Sequence, residues 1–232
     1  RFDAYADLVE GKRVGLIANH TSTVKGGHLV DFLLEKGVDI RKIFSPEHGF
    51  RGSAAAGAKI EDGKDSKTGL PVISLYGKNR KPTQSMLEDI DIMLFDLQDV
   101  GTRFYTYIST MSLAFDACDQ MKIPFVVLDR PNPNGHYVDG PVLDPAFSSF
   151  VGMHPVPVVH GMTVGEYAFM LNNEGWLSSG EKGDLTVVRC EGYYHGMLLE
   201  LPIRPSPNLP NAASVALYPS LCFFEGTPVS IG

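Results

Sequence analysis

The stretch Ser45-Pro46-Glu47-His48-Gly49-Phe50-Arg51-Gly52 places a carboxylate, an imidazole and a guanidinium close together in the chain. Pro46 stiffens the turn, and Gly49 and Gly52 permit close backbone approaches that other residues resist. Glu47 is a candidate general acid/base, with His48 or Arg51 tuning it. The competing reading is an ion pair between Glu47 and Arg51. A second polar stretch runs Asp96-Leu97-Gln98-Asp99-Val100-Gly101-Thr102-Arg103-Phe104-Tyr105. Alternation turns Asp96 and Gln98 to one side of an extended chain. Arg103 and Tyr105 precede a helix whose N-terminus favours anions, while Asp99 or Thr102 could simply cap that helix. In Asp129-Arg130-Pro131-Asn132-Pro133-Asn134-Gly135, the acid and the base could bind sugar hydroxyls or a carboxylate, or pair structurally. His154 and His160 flank Pro155 and Pro157, a weak metal signal with no H-E-x-x-H beside it, so no metal is expected; His160 could still reach a site. His28, His136 and His195 belong to no motif and read as surface or structural. Glu166 follows Thr163 at capping-box spacing, which makes it structural.

These clusters need elements to hold them. Apolar runs at 14–18, 43–44, 72–75, 92–95 and 125–128 end on Asn19-His20-Thr21, on Ser45-Pro46-Glu47, on Tyr76-Gly77-Lys78, on Asp96 and on Asp129-Arg130. Short apolar runs alternating with helical segments indicate a parallel sheet. Ligands of such sheets bind outside the carboxyl ends of the strands, so the five strand ends form one edge of one site. Helices are expected at 29–36, 82–89 (with Thr83 as N-cap), 105–121 and 163–174, and a further strand at 185–190. Residues 52–69 read as a long surface loop. Beyond Leu201, Pro202, Pro205, Pro207, Pro210 and Pro219 predict an extended path without a helix, and the end reads as an interruption.

The chain has 232 residues, 44% of them hydrophobic and 20% charged, enough for a large α/β domain or one domain plus part of another. A net charge of −7 speaks against nucleic acid as a partner. No apolar stretch approaches the roughly 18 residues of a membrane span. No signal peptide stands at the start, so Arg1 could follow a removed one. Cys118, Cys190 and Cys222 are widely spaced and read as free thiols. No dinucleotide fingerprint, P-loop or nucleophile elbow is present. What remains is carboxylate, imidazole and guanidinium chemistry in a hydrogen-bonding cleft, which suits a sugar or another polyol.

The ordered segments GLIANHTS, FSPEHGFRG, TGLPVISLYG, DIMLFDLQDVGTRFYTYISTM, VVLDRPNPNG, SFVGMHPVPVVHGMTVGEYA, PSPNLP and ALYPSLCFFEGTPVS, spanning residues 14–230, resemble the exo-β-N-acetylmuramidases. These are bacterial glycoside hydrolases formerly grouped as a domain of unknown function. The resemblance implies an α/β fold: a Rossmann-like, mostly parallel sheet with flanking helices at 1–200. A smaller C-terminal domain, only begun in this chain by the Pro-rich 201–232, would follow, with the site in the cleft between. It implies release of terminal N-acetylmuramic acid from the non-reducing end of peptidoglycan fragments, no cofactor, and a periplasmic or secreted location. Glu47 matches the glutamate of the family's S-P-E-H-G motif and is the expected acid/base. With the residues read above, the expected catalytic set is Glu47, His48, Asp96 and Asp129. The expected substrate-binding set is Asn19, His20, Arg51, Tyr76, Gln98, Arg103, Tyr105, Arg130, His160 and Glu225. The second carboxyl group is open among Asp96, Asp99, Asp129 and Glu225, or is replaced by the substrate's 2-acetamido group. The lactyl carboxylate calls for an arginine from Arg51, Arg103, Arg130 and Arg204, with Arg103 or Arg130 expected. The alternatives are a non-catalytic sugar-binding protein on the same fold and a metal-dependent hydrolase using His48, His154 and His160.

Overall fold

The computed structural model describes residues 1–46, 50–51, 63–77 and 79–228. Glu47 and His48, and most of the 52–69 segment, therefore lie outside the described residues. In chain order the elements are α1 (Ala6–Val9), β1 (Arg13–Ala18), the small hairpin β2 (Thr23–Val24) and β3 (Gly27–His28), α2 (Leu29–Glu35), β4 (Asp39–Ser45), β5 (Gly63–Lys64), β6 (Pro71–Ser74), α3 (Gln84–Leu87), β7 (Ile92–Asp96), α4 (Tyr107–Gln120), β8 (Phe125–Leu128), α5 (Val164–Asn173), β9 (Leu185–Val188) and α6 (Ala212–Leu221). The main sheet runs β5-β6-β4-β1-β7-β8-β9. Every neighbouring pair is parallel except β5 with β6. From β6 onward this is the doubly wound order 3-2-1-4-5-6, whose direction of winding reverses between β1 and β7.

The sheet is buried because its strands are apolar on both faces, as parallel strands between helical layers must be. Along β1, Ile17 points into one cluster with Phe44, Phe95, Phe125 and Val127, covered by Phe115 of α4 and Tyr167 and Leu171 of α5. Leu16 and Ala18 point the other way, joining Ile43, Leu94 and Val126 under Leu29, Val30 and Leu33 of α2. Burying each Val, Leu, Ile or Phe side chain here contributes about 1.5–3 kcal/mol. The five apolar runs become β1, β4, β6, β7 and β8, and the expected helices all form, each shorter than its sequence pattern.

One expectation is corrected. The Pro-rich tail contains α6, which packs on the core through Val215, Tyr218 and Cys222. Its start is the Asn211 side chain, which accepts from the Ser214 amide at 2.9 Å. Pro219 sits inside it and lacks the N–H that would bond back to Val215. The freed Val215 carbonyl instead accepts from Asn134 Nδ2 at 3.1 Å. The proline is thus tolerated because a distant amide replaces the missing donor.

Among the described residues, no helix is long and apolar enough to cross a membrane.

Candidate functional site

The crevice outside β1 and β7 lies at the point where the winding reverses, the position where doubly wound sheets bind ligands. Its floor is a locked turn. Asn19 is fully buried. Its Nδ2 donates to the Tyr107 hydroxyl at 2.8 Å, and its Oδ1 accepts from the amide and hydroxyl of Thr21 at 2.9 and 2.6 Å. The Ser22 hydroxyl accepts from the Asn19 amide at 3.0 Å and donates to the Asp96 carbonyl, tying the end of β1 to the end of β7. His28 completes the turn. Its Nδ1 accepts from the Val30 amide at the start of α2, so Nε2 carries the proton and donates to the Asn19 carbonyl at 2.9 Å. Asn19, expected to bind substrate, has both ends of its amide occupied by this scaffold. Tyr107 was missed, because a tyrosine inside a helix pattern carries no local signal, whereas His28, read from the sequence as surface or structural, is structural.

Asp96 and Arg130 meet across the ends of β7 and β8. Nε and Nη2 of Arg130 donate to the two oxygens of Asp96 at 2.7 and 2.8 Å, a bidentate fork. The Asp96 side chain is 3% exposed and that of Arg130 20%. They border a cleft of about 260 Å³ lined also by Tyr5, Leu128, Val188 and Arg189. Burial, and then the charge of Asp96, push the Tyr5 hydroxyl up to about 12. Arg189 stacks over Phe169 at 5.8 Å and has no carboxylate partner among the described residues. It stands just past β9, so applying the strand-end rule to the sixth parallel strand would have found it.

Asp129 lines the same cleft, but its carboxylate is engaged elsewhere. Its Oδ1 accepts from the amides of Gly165 and Arg130 at 2.7 and 2.9 Å, and its Oδ2 from the Thr163 hydroxyl at 2.9 Å. Gly165 permits this approach: a Cβ there would lie 2.6 Å from the Asp129 carboxyl carbon. Asp129 therefore anchors the first turn of α5, beside the capping box formed by Thr163 and Glu166. Burial raises its pKa, with the three hydrogen bonds opposing.

Gln98 bridges two loops, its Nε2 donating to the carbonyls of Asp99 and Pro131, each at 2.8 Å. Asp99 accepts from the Gly101 amide at 2.7 Å through Oδ2, and its Oδ1 is buried with no hydrogen-bond partner among the described residues. His160 lies beside it. Its Nδ1 accepts from Met162, leaving the Nε2 proton directed at Asp99 Oδ2, 3.7 Å away. Arg103 is buried, with Nη1 donating to the carbonyls of Pro141 and Val156 at 3.0 and 2.5 Å. The Tyr105 hydroxyl donates to the Pro205 carbonyl at 2.8 Å. His20 reaches the same segment, donating from Nε2 to the Arg204 carbonyl at 3.0 Å, and burial lowers its pKa. Glu225 accepts from the Tyr218 hydroxyl. Tyr76 follows β6 and its amide donates to the Ser74 hydroxyl at 3.2 Å.

Arg51 is held by Asp65 and Asp31. His154 stacks on Trp176 with centroids 4.7 Å apart. Among the described residues, no three His, Cys, Asp or Glu side chains come together to hold a metal ion. The structure thus gathers Asn19, Asp96, Gln98 and Arg130 along the β1-β7-β8 edge. Asp99, Arg103, Tyr105 and His160 form a buried second layer around the start of α4.

The family described as "Exo-beta-N-acetylmuramidase NamZ, N-terminal" matches residues 14–213. The peptidoglycan beta-N-acetylmuramidase NamZ of Bacillus subtilis (strain 168) is 46% identical over 237 residues, covering 98% of this chain and 56% of that protein. A crystal structure of a DUF1343 family protein from Bacteroides fragilis NCTC 9343 superposes with a TM-score of 0.88 at 49% identity, over 99% of this chain and 61% of that one. A second DUF1343 structure from the same organism gives 0.86 at 41% identity, over 97% and 58%. The chain therefore spans between 56% and 61% of the length of these relatives.

Proposed function

The chain belongs to the exo-beta-N-acetylmuramidase NamZ family, and from that membership we propose that it carries the catalytic machinery of a glycoside hydrolase that releases terminal N-acetylmuramic acid from the non-reducing end of peptidoglycan fragments. The observation that carries the reading is positional. The family match covers the whole strand-end edge, and Glu47 follows β4, which ends at Ser45 next to β1. In this reading Glu47 is the general acid that protonates the leaving sugar oxygen.

The partner carboxylate is harder to find among the candidates. Asp96 is neutralised by Arg130, Asp129 anchors α5, Asp99 is buried and Glu225 accepts from Tyr218. This pattern favours the substrate's own 2-acetamido oxygen as the nucleophile. The arginines follow the same logic. Arg51 and Arg130 face aspartates and Arg103 faces carbonyls, whereas the exposed side chain of Arg204 has no partner among the described residues. We place the lactyl carboxylate on Arg204 rather than on Arg103 or Arg130. A peptidoglycan substrate puts the protein outside the cytoplasm, in the periplasm or secreted.

The test compares full-length wild type with Glu47→Gln on the disaccharide N-acetylmuramyl-β-1,4-N-acetylglucosamine and on 4-nitrophenyl N-acetyl-β-muramic acid. General acid catalysis contributes roughly 10²–10⁴-fold. Glu47→Gln should lose that much on the disaccharide and less on the nitrophenyl substrate, whose leaving group needs little protonation. Full activity of Glu47→Gln on both substrates rules out the assignment.

A further inference from the structure

The sequence motif offers Arg51 as a ligand for substrate, yet four of the five N–H donors of its guanidinium already serve two aspartates. Nε and Nη2 donate to the two oxygens of Asp65 at 2.7 and 2.8 Å, and Nη1 and Nη2 to the two oxygens of Asp31 at 3.3 and 3.2 Å. One cation facing two carboxylates leaves no positive field for an anionic substrate; Lys67, on Asp31 at 2.7 Å, only balances the charge. Each aspartate is itself fixed. Asp65 is 3% exposed at its side chain and accepts from the Thr68 amide and hydroxyl at 3.1 and 2.7 Å. Its own amide and carbonyl bond to Leu70 and Gly69. Asp31 lies in the first turn of α2. The hydrogen bond to Asp65 raises the pKa of Arg51, and the same bond holds Asp65 well below the usual carboxylate range. Phe50 is buried beneath, with Arg51 5.0 Å above its ring centroid and the His28 ring 4.5 Å away edge-on.

On the other side of the motif, Ser45 ends β4, pairs with Ser74 and accepts from the Leu75 amide at 2.8 Å. The chain is therefore held at Ser45 by the sheet and at Phe50 and Arg51 by the two aspartates and His28. By sequence, Glu47 stands between these two holds. We infer that Arg51, Asp65 and Asp31 form a clamp that fixes the downstream end of the motif carrying Glu47, making Arg51 a positioning residue for turnover and not a substrate ligand. This rests on the muramidase reading of Glu47.

The experiment takes the full-length protein with Arg51→Gln, Arg51→Lys, Asp65→Asn, Asp31→Asn and the double variant Arg51→Gln/Asp65→Asn. It reads kcat and KM on the disaccharide, and hydrogen exchange of the backbone amides at 44–51. A misplacement of about 1 Å costs on the order of 10²-fold in rate. Arg51→Gln and Asp65→Asn should each lower kcat by roughly 10–100-fold with KM within about threefold. The double variant should be no worse than either single one, since one clamp is broken in each. Arg51→Lys should not restore kcat, because a single ammonium cannot fork to two carboxylates. Asp31→Asn should cost less, its contacts being longer. Exchange at 44–51 should rise in Arg51→Gln and Asp65→Asn. A raised KM with intact kcat in Arg51→Gln, together with a normal Asp65→Asn, would make Arg51 a substrate ligand and overturn the clamp. Unchanged exchange in both variants overturns it as well. An inactive wild type sinks the muramidase reading instead, and the exchange measurement still decides the clamp.

Discussion

Two ion pairs in this protein share one geometry and differ in burial. Arg130 forks onto Asp96 at 2.7 and 2.8 Å, and Arg13 forks onto Asp91 at 3.0 and 2.7 Å. The Arg130–Asp96 side chains are 20% and 3% exposed, against 45% and 33% for Arg13–Asp91. Asp96→Asn keeps the shape but strands a partly buried guanidinium beneath Tyr5. Removing one partner of a buried pair costs about 3–5 kcal/mol. With a urea dependence of about 2–3 kcal/mol per molar, the denaturation midpoint should fall by on the order of 1–2 M. Asp91→Asn loses an equally well-formed pair that water already screens, so its midpoint should stay within the scatter of the measurement. The assay is urea unfolding followed by far-UV circular dichroism at pH 7, with turnover measured in parallel. Equal midpoints for the two variants would refute the burial argument. A normal midpoint with abolished turnover in Asp96→Asn would refute it more instructively, by returning Asp96 to the chemistry as a catalytic carboxylate.

Two more outcomes follow from local geometry. Gly101 has φ +75° and a Cβ there would lie 2.3 Å from the Asn132 amide, whose Nδ2 donates to Met162 at 2.8 Å while its Oδ1 accepts from Asn134 at 2.8 Å. Gly101→Ala should cost about 2–5 kcal/mol, adding two lost hydrogen bonds to the left-handed strain. Gly11→Ala, with φ +64° and nothing within 4 Å, should show only the strain of about 1–2 kcal/mol; equal costs would sink the clash. His154 stacks on the single tryptophan, Trp176, and burial lowers its pKa to about 4. The neutral ring is the folded form, so its contribution to stability is present above about 6.5 and is lost as pH falls towards 4. Tryptophan fluorescence should titrate with a midpoint at about 4 in wild type and not in His154→Phe; a midpoint near the ordinary histidine value of about 6.5 would contradict the burial.

Most of the fold was legible because its signals are local. Each buried parallel strand is a short apolar run, and Thr163 with Glu166 announces the start of α5 within one turn. α6 was illegible for the converse reason: Pro219 says "no helix" locally, and only Asn134, far away in sequence, supplies the donor that makes the helix possible. The candidate site divides the same way. Residue types at strand ends named Asp96, Asp129, Arg51 and Arg130 as capable of chemistry, but type does not state which partner a charge has found.

From the sequence alone came the chemical inventory and the edge of the sheet on which it stands, because both depend on neighbours along the chain. The tertiary structure alone decided that Asp129 holds a helix, that Asp96 and Arg130 neutralise each other, and that Arg51 grips two aspartates. Those outcomes hang on distances between residues up to 36 positions apart, and a carboxylate's or guanidinium's role is set by which charges and donors surround it after the chain has closed.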